Sequence, residues 1–240
     1  MSGAQRAELE RRLAQHVDAG DTAARDAVAH VLATTYGAAA LPALLRASVH
    51  DRNDDGGSLQ LDVLELFKAW PAEASAQILA CVASDDPGLR RVGVWGLSVI
   101  DWSRRHELLP LVVEAGLDAD PRVRAEAMGA LGSIFGADDP RARAVLTAGV
   151  RDPDAGVRCA AVQGLYQWRD EEVTALLVAR AGDADRAVRF WTAWALSRRP
   201  GGQAALERLA ADRDAEVSAA AHEVMALDRC ASGASGHRGP

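Results

Sequence analysis

The sequence predicts an all-α protein, a right-handed α-solenoid of about six to seven stacked helix pairs. A motif recurs about every 30 residues, which is a period typical of solenoids. Each motif contains one apolar anchor residue, and the residues four, seven and eight positions after it are apolar or small. This is the spacing of one buried helix face. Apolar residues make up 49% of the 240-residue chain but aromatic residues only 5%, so the core consists mainly of Ala, Leu and Val.

The motif is an aspartate-rich turn that leads into an amphipathic helix. Its clearest copies begin at Asp118, Asp152 and Asp183, with the segments DADPRVR, DPDAGVR and DADRAVR. An earlier copy begins at Ser84 and a later one at Asp212, in the same register. The apolar anchor residues of the five copies are Leu89, Val123, Val157, Val188 and Val217.

Each motif predicts one helix, and a second helix is expected after it. An aspartate followed by proline, as at Asp120-Pro121, is typical of a helix N-cap with proline in the first turn. Second helices are predicted at residues 72–83, 107–117, 140–150, 171–181 and 203–211. Two weaker copies of the first helix, anchored at Ala24 and Leu59, extend the apolar spacing towards the N terminus.

The segments at the two ends differ from the repeats. Residues 1–20 are predicted to form an N-terminal capping helix, because an uncovered solenoid end would expose apolar surface. Residues 21–228 are predicted to be the repeat solenoid. Residues 229–240, rich in Gly and Ser, are predicted to be a disordered tail. The loop at residues 51–58 is expected to be the most flexible internal segment.

Residues 118–132 match the pattern D-x-D-P-x-V-R-x-x-A-x-x-A-L-G at nearly every position. This pattern resembles the HEAT-like repeats named after phycobilisome lyases, and the likeness extends over roughly residues 50–227. The resemblance implies an α-solenoid of stacked helix pairs. It implies little about function, because solenoid repeats bind many unrelated partners. A bilin lyase role, suggested by the name of the repeat, would depend on a partner subunit and on phycobiliprotein clients.

Charge and cysteine content exclude several classes of function. A net charge of -7 argues against general attraction to nucleic-acid phosphates or anionic membranes. Cys81, Cys159 and Cys230 are far apart, so we expect no disulfide framework and no zinc site, and a reducing cytoplasm fits best. No apolar run approaches the roughly 20 residues of a membrane span, so no membrane association is expected. The abundance of Ala, Arg and Asp, with almost no Lys, indicates a bacterial genome of high GC content.

A ladder of charged residues accompanies the motif. An arginine follows the anchor at Arg90, Arg124, Arg158 and Arg189, and an aspartate precedes it at Asp86, Asp120, Asp154, Asp185 and Asp214. Such a ladder could bind phosphates. A structural role is favoured, because stacking brings each guanidinium close to carboxylates and helix N termini of neighbouring repeats. The ladder ends at Ser218, where no further repeat follows.

Two His-Glu pairs, at residues 106–107 and 222–223, are similar to those that hold two irons in the deoxyhypusine hydroxylases, which are HEAT-repeat enzymes. A shared metal centre would require equivalent positions in the repeats. His222 lies on a first helix, whereas His106 precedes a second helix, so we predict no metal and no cofactor. The sequence also lacks a phosphate-binding Gly loop and a nucleophile elbow, which argues against an enzyme.

Aromatic residues give the sharper indication of function. Phe190, Trp191 and Trp194 occupy positions of the motif helix that do not face the core, and Trp95 occupies the position of Trp194 in an earlier repeat. Two interpretations stay open: these side chains fill gaps between repeats that are rich in Ala and Gly, or they form a surface for a partner. Packing between repeats is the favoured interpretation, and the hypothesis of a partner-binding site comprises these four residues.

Arginines near the second helices provide an alternative site. A nucleic-acid groove would be lined by Arg104, Arg105, Arg141, Arg143 and Arg180. The bacterial alkylpurine DNA glycosylases are HEAT-like solenoids with a basic groove, but the likeness is one of fold, because their catalytic motif has no match here. Acidic residues such as Asp139 and Glu171 would weaken such a groove.

The sequence therefore predicts a cytoplasmic, non-enzymatic scaffold that binds a protein partner through the surface of the solenoid. The alternative is a DNA-binding or DNA glycosylase-like solenoid, and a minor alternative is a lyase or a metal-dependent HEAT enzyme. Salt separates the first two, because binding to phosphates weakens steeply as salt rises, whereas binding through apolar surface changes little.

Overall fold

The computed structural model describes residues 3–50, 58–100, 105–135 and 139–235. Within these ranges all regular secondary structure is helical and no strand occurs. The chain divides into two compact units, residues 1–104 and 105–240. The prediction of an all-α protein built from successive helix pairs is confirmed.

The first unit contains six α-helices among its described residues. They are α1 (Gly3–Ala19), α2 (Thr22–Tyr36), α3 (Leu41–Ala47), α4 (Leu59–Ala69), α5 (Pro71–Val82) and α6 (Pro87–Val99). Helix α1 packs against α2 and α3 and buries Leu13, at the place where a capping helix was expected. Helix α2 packs against α4, and α5 packs against α4 and α6, so the helix pairs of this unit stack in chain order.

The second unit contains eight α-helices among its described residues. They are α7 (Arg105–Ala115), α8 (Pro121–Ala130), α9 (Pro140–Gly149), α10 (Ala155–Gly164), α11 (Glu171–Arg180), α12 (Arg186–Ala195), α13 (Gln203–Ala210) and α14 (Ala215–Ser235). Helices α8, α10, α12 and α14 pack against one another in that order and form one layer. Helices α9, α11 and α13 pack against the helices of this layer and are the second helices of their repeats. The five predicted second helices agree with α5, α7, α9, α11 and α13 to within two residues at each end.

The aspartate-rich turns cap the helices of the layer. The carboxylate of Asp120 accepts a hydrogen bond from the backbone N–H of Arg122 at 2.8 Å, and Asp154 accepts one from Val157 at 3.1 Å. The first residue of each turn accepts the backbone N–H of the N-cap aspartate; this residue is an aspartate such as Asp152 in four turns and Ser84 in the earliest one. These bonds satisfy N–H groups that a helix leaves free at its N terminus, which explains why the motif recurs at each repeat.

The arginine ladder links consecutive repeats. The guanidinium of Arg124 donates two hydrogen bonds to Asp152 in the next turn, both at 2.8 Å, and Arg158 donates to Asp183 at 2.9 and 2.8 Å. A third nitrogen of Arg124 donates to the carbonyls of its own turn, at residues 118 and 119. The ladder is structural, as favoured from the sequence, although the partner is the first aspartate of the next turn and not the N-cap aspartate.

The segment Thr22–His50 is long and apolar enough, at a mean hydropathy of 1.5, to meet the criteria for a membrane span, which the sequence analysis did not anticipate. Half of it is buried inside the protein. Gly37, at a φ of 55°, ends α2 by a backbone conformation that side chains disfavour and so divides the segment into α2 and α3. The 15 residues of α2 are fewer than the roughly 20 that a membrane helix needs.

The last helix is longer than predicted. Helix α14 continues to Ser235, whereas disorder was expected from residue 229. Once a helix has formed, each added residue contributes a hydrogen bond without a new nucleation step, which favours continuation of α14 past residue 229. Residues 236–240 of the predicted tail, and residues 51–57 of the predicted flexible loop, lie outside the described residues.

Candidate functional site

A groove of about 430 Å³ lies on the second unit, across the layer formed by α8, α10 and α12. Its floor is made of small residues, its walls of aromatic side chains and its rim of uncharged polar ones. The lining residues are Gly129, Gly132, Ser133, Gln163, Gly164, Tyr166, Gln167, Trp191, Trp194 and Ala195. Its volume is in the range of sites that bind ligands.

The floor exists because two glycines allow the backbones to touch. A Cβ atom placed on Gly132 would lie 2.2 Å from the Cα of Gly164, far inside van der Waals contact. Any larger residue at position 132 would therefore separate the ends of α8 and α10. Gly129, one turn earlier, has no atom within 4 Å of such a Cβ, because it faces the open groove.

The walls are formed by Tyr166, Trp191 and Trp194. Trp191 is 40% exposed and Tyr166 is 44% exposed, so two large aromatic side chains present apolar surface to the same groove. Phe190 packs edge-on against Trp191, with ring centroids 5.3 Å apart. The guanidinium of Arg169 lies 5.0 Å from the centre of the Tyr166 ring. Both contacts fix the orientation of a wall residue.

A buried arginine holds the turn that presents Tyr166. The guanidinium of Arg199 donates hydrogen bonds to the carbonyls of Leu165 and Tyr166, both at 2.9 Å, and also to those of Trp168 and Ala195. Burial lowers the pKa of Arg199 to about 10, so the side chain remains charged at neutral pH. Its positive charge lies at the C-terminal ends of α10 and α12, where the helix dipoles favour a cation.

The rim contains Ser133, Gln163 and Gln167. The hydroxyl of Ser133 donates to the carbonyl of Gly129 at 2.8 Å, and the amide of Gln163 donates to the sulfur of Cys159 at 3.4 Å. Both glutamines are exposed. Each side-chain amide provides a donor and an acceptor, which is the combination that binds the backbone of an extended peptide.

Three of the four predicted aromatic residues lie at or beside this groove. Trp191 and Trp194 line it, and Phe190 does not line it but packs edge-on against Trp191. Trp95 does not belong to it: it lies in the first unit, half-buried, with its ring 6.0 Å from that of Phe67. That Trp95 contributes to partner binding stays a prediction.

The arginines of the alternative nucleic-acid groove are paired with carboxylates wherever the structure describes them. Arg141 pairs with Asp139 at 2.9 Å, and Arg180 with Asp183 at 3.2 Å. Arg143 contacts both Asp170 and Glu172, at 3.0 and 2.7 Å. Arg104 and the side chain of Arg105 lie outside the described residues. A guanidinium that already binds a carboxylate is a weak site for phosphate, because the two anions compete.

No metal site forms among the described residues. They include no cluster of three or more His, Cys, Asp or Glu side chains that could hold an ion. His222 contacts the carbonyl of Ser218, one turn before it on α14. The three cysteines are free, and burial raises the pKa values of the Cys81 and Cys159 thiols.

Sequence reasoning missed the glycines, glutamines and tyrosine of the groove. Alignment of the repeats on their anchors contains the signal: Gly129, Gln163 and Trp194 are each six residues after an anchor valine. Gly132 and Tyr166 are likewise nine residues after theirs. Residues at the same offset in stacked repeats form a row across the layer, so these positions identify the groove once the stacking is known.

Two other depressions lack aromatic side chains. One, of about 620 Å³, lies between α11 and the turn after α12 and is lined by Glu171, Thr174 and Pro200 among others. The other, of about 190 Å³, lies between α1 and α3 and is lined by Glu10, Arg46 and His50 among others. Neither combines exposed aromatic surface with polar groups, so the groove on the second unit is the strongest candidate.

Comparison with known proteins identifies the family of this chain. The family model for HEAT repeats matches residues 75–155 and 144–226, which together make up more than half of the sequence. The chain belongs to the HEAT-repeat family. Repeat solenoids of this kind are typical protein-binding scaffolds. No curated protein matches the sequence.

A solved structure is similar to this HEAT-repeat protein over most of its length. It is the designed armadillo repeat protein YIII(Dq.V1)4CPAF in complex with the peptide (KR)4, with a TM-score of 0.52. The sequences are 17% identical, and the match covers 78% of this chain and 99% of that one. At this identity the likeness shows the fold and not the ligand.

Proposed function

We propose that this HEAT-repeat protein is a non-enzymatic interaction module that holds an extended segment of a partner protein in the groove across α8, α10 and α12. The single observation behind the proposal is the combination of exposed Trp191 and Tyr166 with a glycine floor. Such a groove offers apolar anchoring surface and room for the backbone of a ligand. The designed armadillo protein of similar fold binds a peptide, which fits this proposal.

Energetics favour binding through the aromatic residues. Trp and Tyr are over-represented among interface residues that cost more than about 2 kcal/mol when truncated. Their orientations are set by Phe190, Arg169 and Arg199 before a ligand arrives, which reduces the entropy lost on binding. A groove that is already formed binds an extended segment at a lower cost than a surface that must rearrange.

The nucleic-acid alternative is weakened, because Arg141, Arg143 and Arg180, the described arginines of the predicted groove, pair with carboxylates. The proposed module is cytoplasmic and bacterial, as the composition suggests.

Retention of partners from cell extract by three forms of the full chain tests the proposal. The first is the wild type and the second is Trp191→Ala. The third is the control Leu117→Ala, which removes an apolar side chain that is 72% exposed and lies outside the groove. We expect proteins that bind the wild type and Leu117→Ala but not Trp191→Ala. Retention of the same proteins by all three forms would contradict the proposal.

A further inference from the structure

The groove is uncharged. None of the described residues that line it carries a charge, although charged residues make up 25% of the chain. A Lys- or Arg-rich segment would lose hydration in the groove and find no carboxylate to replace it. An acidic segment would find one guanidinium next to the groove, that of Arg169, which already stacks on Tyr166 and donates to the carbonyl of Ser197. Charge complementarity therefore selects a neutral ligand.

The walls offer hydrogen-bond donors that have no acceptor among the described residues. The indole N–H groups of Trp191 and Trp194 can donate but cannot accept, and neither makes a hydrogen bond within the described part of the chain. The exposed amide of Gln167 adds further donors. A matching ligand presents backbone carbonyls in excess of N–H groups. Proline does this, because its nitrogen carries no hydrogen while its carbonyl is a good acceptor.

The usual spacing of packed helices is close to the period of one extended conformation. A polyproline II helix has three residues per turn and rises about 3.1 Å per residue, so its side chains repeat about every 9 Å. Packed helices lie about 8–10 Å apart. Every third residue of such a segment would meet the same offset on the next helix, from Trp194 on α12 to Gln163 on α10 and Gly129 on α8.

From these three properties we infer that the ligand of the groove is an uncharged, proline-rich segment of a partner protein in the polyproline II conformation. Its prolines pack on Trp191, Trp194 and Tyr166, and its carbonyls accept hydrogen bonds from the indoles and the glutamine amides. The inference rests on the proposed function of the groove and specifies its ligand. Because the polyproline II conformation is largely formed before binding, little entropy is lost.

The experiment selects ligands from a phage-displayed library of random dodecapeptides on the full wild-type chain. Clones that also bind Gly129→Gln are discarded. A side chain at position 129 points into open groove and meets no atom within 4 Å of its Cβ, so this variant blocks the groove and still folds. Leu117→Ala, outside the groove, is the matched control.

We expect the remaining clones to be enriched in prolines spaced three residues apart and poor in charged residues. As synthetic peptides, and together with a labelled decaproline probe, they should bind Gly129→Gln at least about tenfold more weakly than wild type or Leu117→Ala. Their affinity for the protein should change little as salt rises. Binding of a basic (KR)4 peptide to surface carboxylates would instead weaken steeply as salt rises.

The outcomes separate the two proposals. Selection of clones that bind through the groove but are basic, acidic or helix-forming without proline would overturn the polyproline inference and leave the proposed function standing. If no clone distinguishes wild type from Gly129→Gln, the groove does not bind extended segments, and both proposals are wrong.

Discussion

Replacement of Gly132 by alanine tests the physical origin of the groove. The new Cβ would lie 2.2 Å from the Cα of Gly164, whereas two carbon atoms in contact lie about 3.5–4.0 Å apart. The ends of α8 and α10 must therefore separate by more than about 1 Å. Overpacking of this kind costs about 1–3 kcal/mol, and the higher helix propensity of alanine offsets about 0.5–1 kcal/mol of it.

We expect Gly132→Ala to lower the free energy of unfolding by about 1–2 kcal/mol. Gly129→Ala should instead raise it by about 0.5–1 kcal/mol, because the same methyl group meets open space at that position of the helix. Urea unfolding followed by circular dichroism measures both. If Gly132→Ala is as stable as wild type, or if the two variants change stability in the same direction, the close backbone contact does not determine the groove.

Three further predictions concern the charged residues. Arg189→Lys should lower the free energy of unfolding in urea by about 1.5–3 kcal/mol, because it loses the paired hydrogen bonds to Asp212 at 2.7 and 3.0 Å. The control Arg186→Lys, at an exposed position, should lower it by less than about 0.5 kcal/mol. Equal losses in the two variants would contradict the structural role of the ladder. Arg199→Met should cost about 3 kcal/mol or more, because it leaves buried carbonyls without donors, and a neutral effect on the urea midpoint would refute this role. Hydrogen bonding by Arg122 lowers the pKa of Asp120 to about 2, below its unfolded value of about 3.9, so this stabilisation is present above about pH 4 and is lost as pH falls towards about 2. The urea midpoint of Arg122→Gln should depend less on pH in that window than the midpoint of wild type, and an unchanged slope would contradict the pairing.

The repeat architecture could be predicted because each copy contains its own signals. The N-cap aspartates, the first-turn prolines and the anchor valines act within a single helix, and the structure places them as expected. The arginine ladder could be anticipated because the charges recur at a fixed offset. The sequence does not predict which aspartate of the next turn binds each arginine, because the two aspartates are only two residues apart. The stacking of the repeats decides between them.

The groove could be predicted only in part. Trp191 and Trp194 were identified because aromatic residues are rare in this chain and these two lie at positions that the core does not use. Tyr166 and the glutamines lie outside the aromatic pattern and become part of a site only when α10 packs beside α12. The close contact of Gly132 with Gly164 depends on the distance between two helices, which no single repeat specifies.

The most direct test of the groove is a titration of the full chain with decaproline, followed by the indole N–H signals of its six tryptophans in a nitrogen-15 NMR spectrum. The signals of Trp191 and Trp194 should move in a saturable way, because both line the groove. Those of Trp70, which is in the first unit, and of the buried Trp168 should not move. If Trp191 and Trp194 do not respond to decaproline or to any selected peptide, or if Trp70 responds as strongly, the groove is not the binding surface.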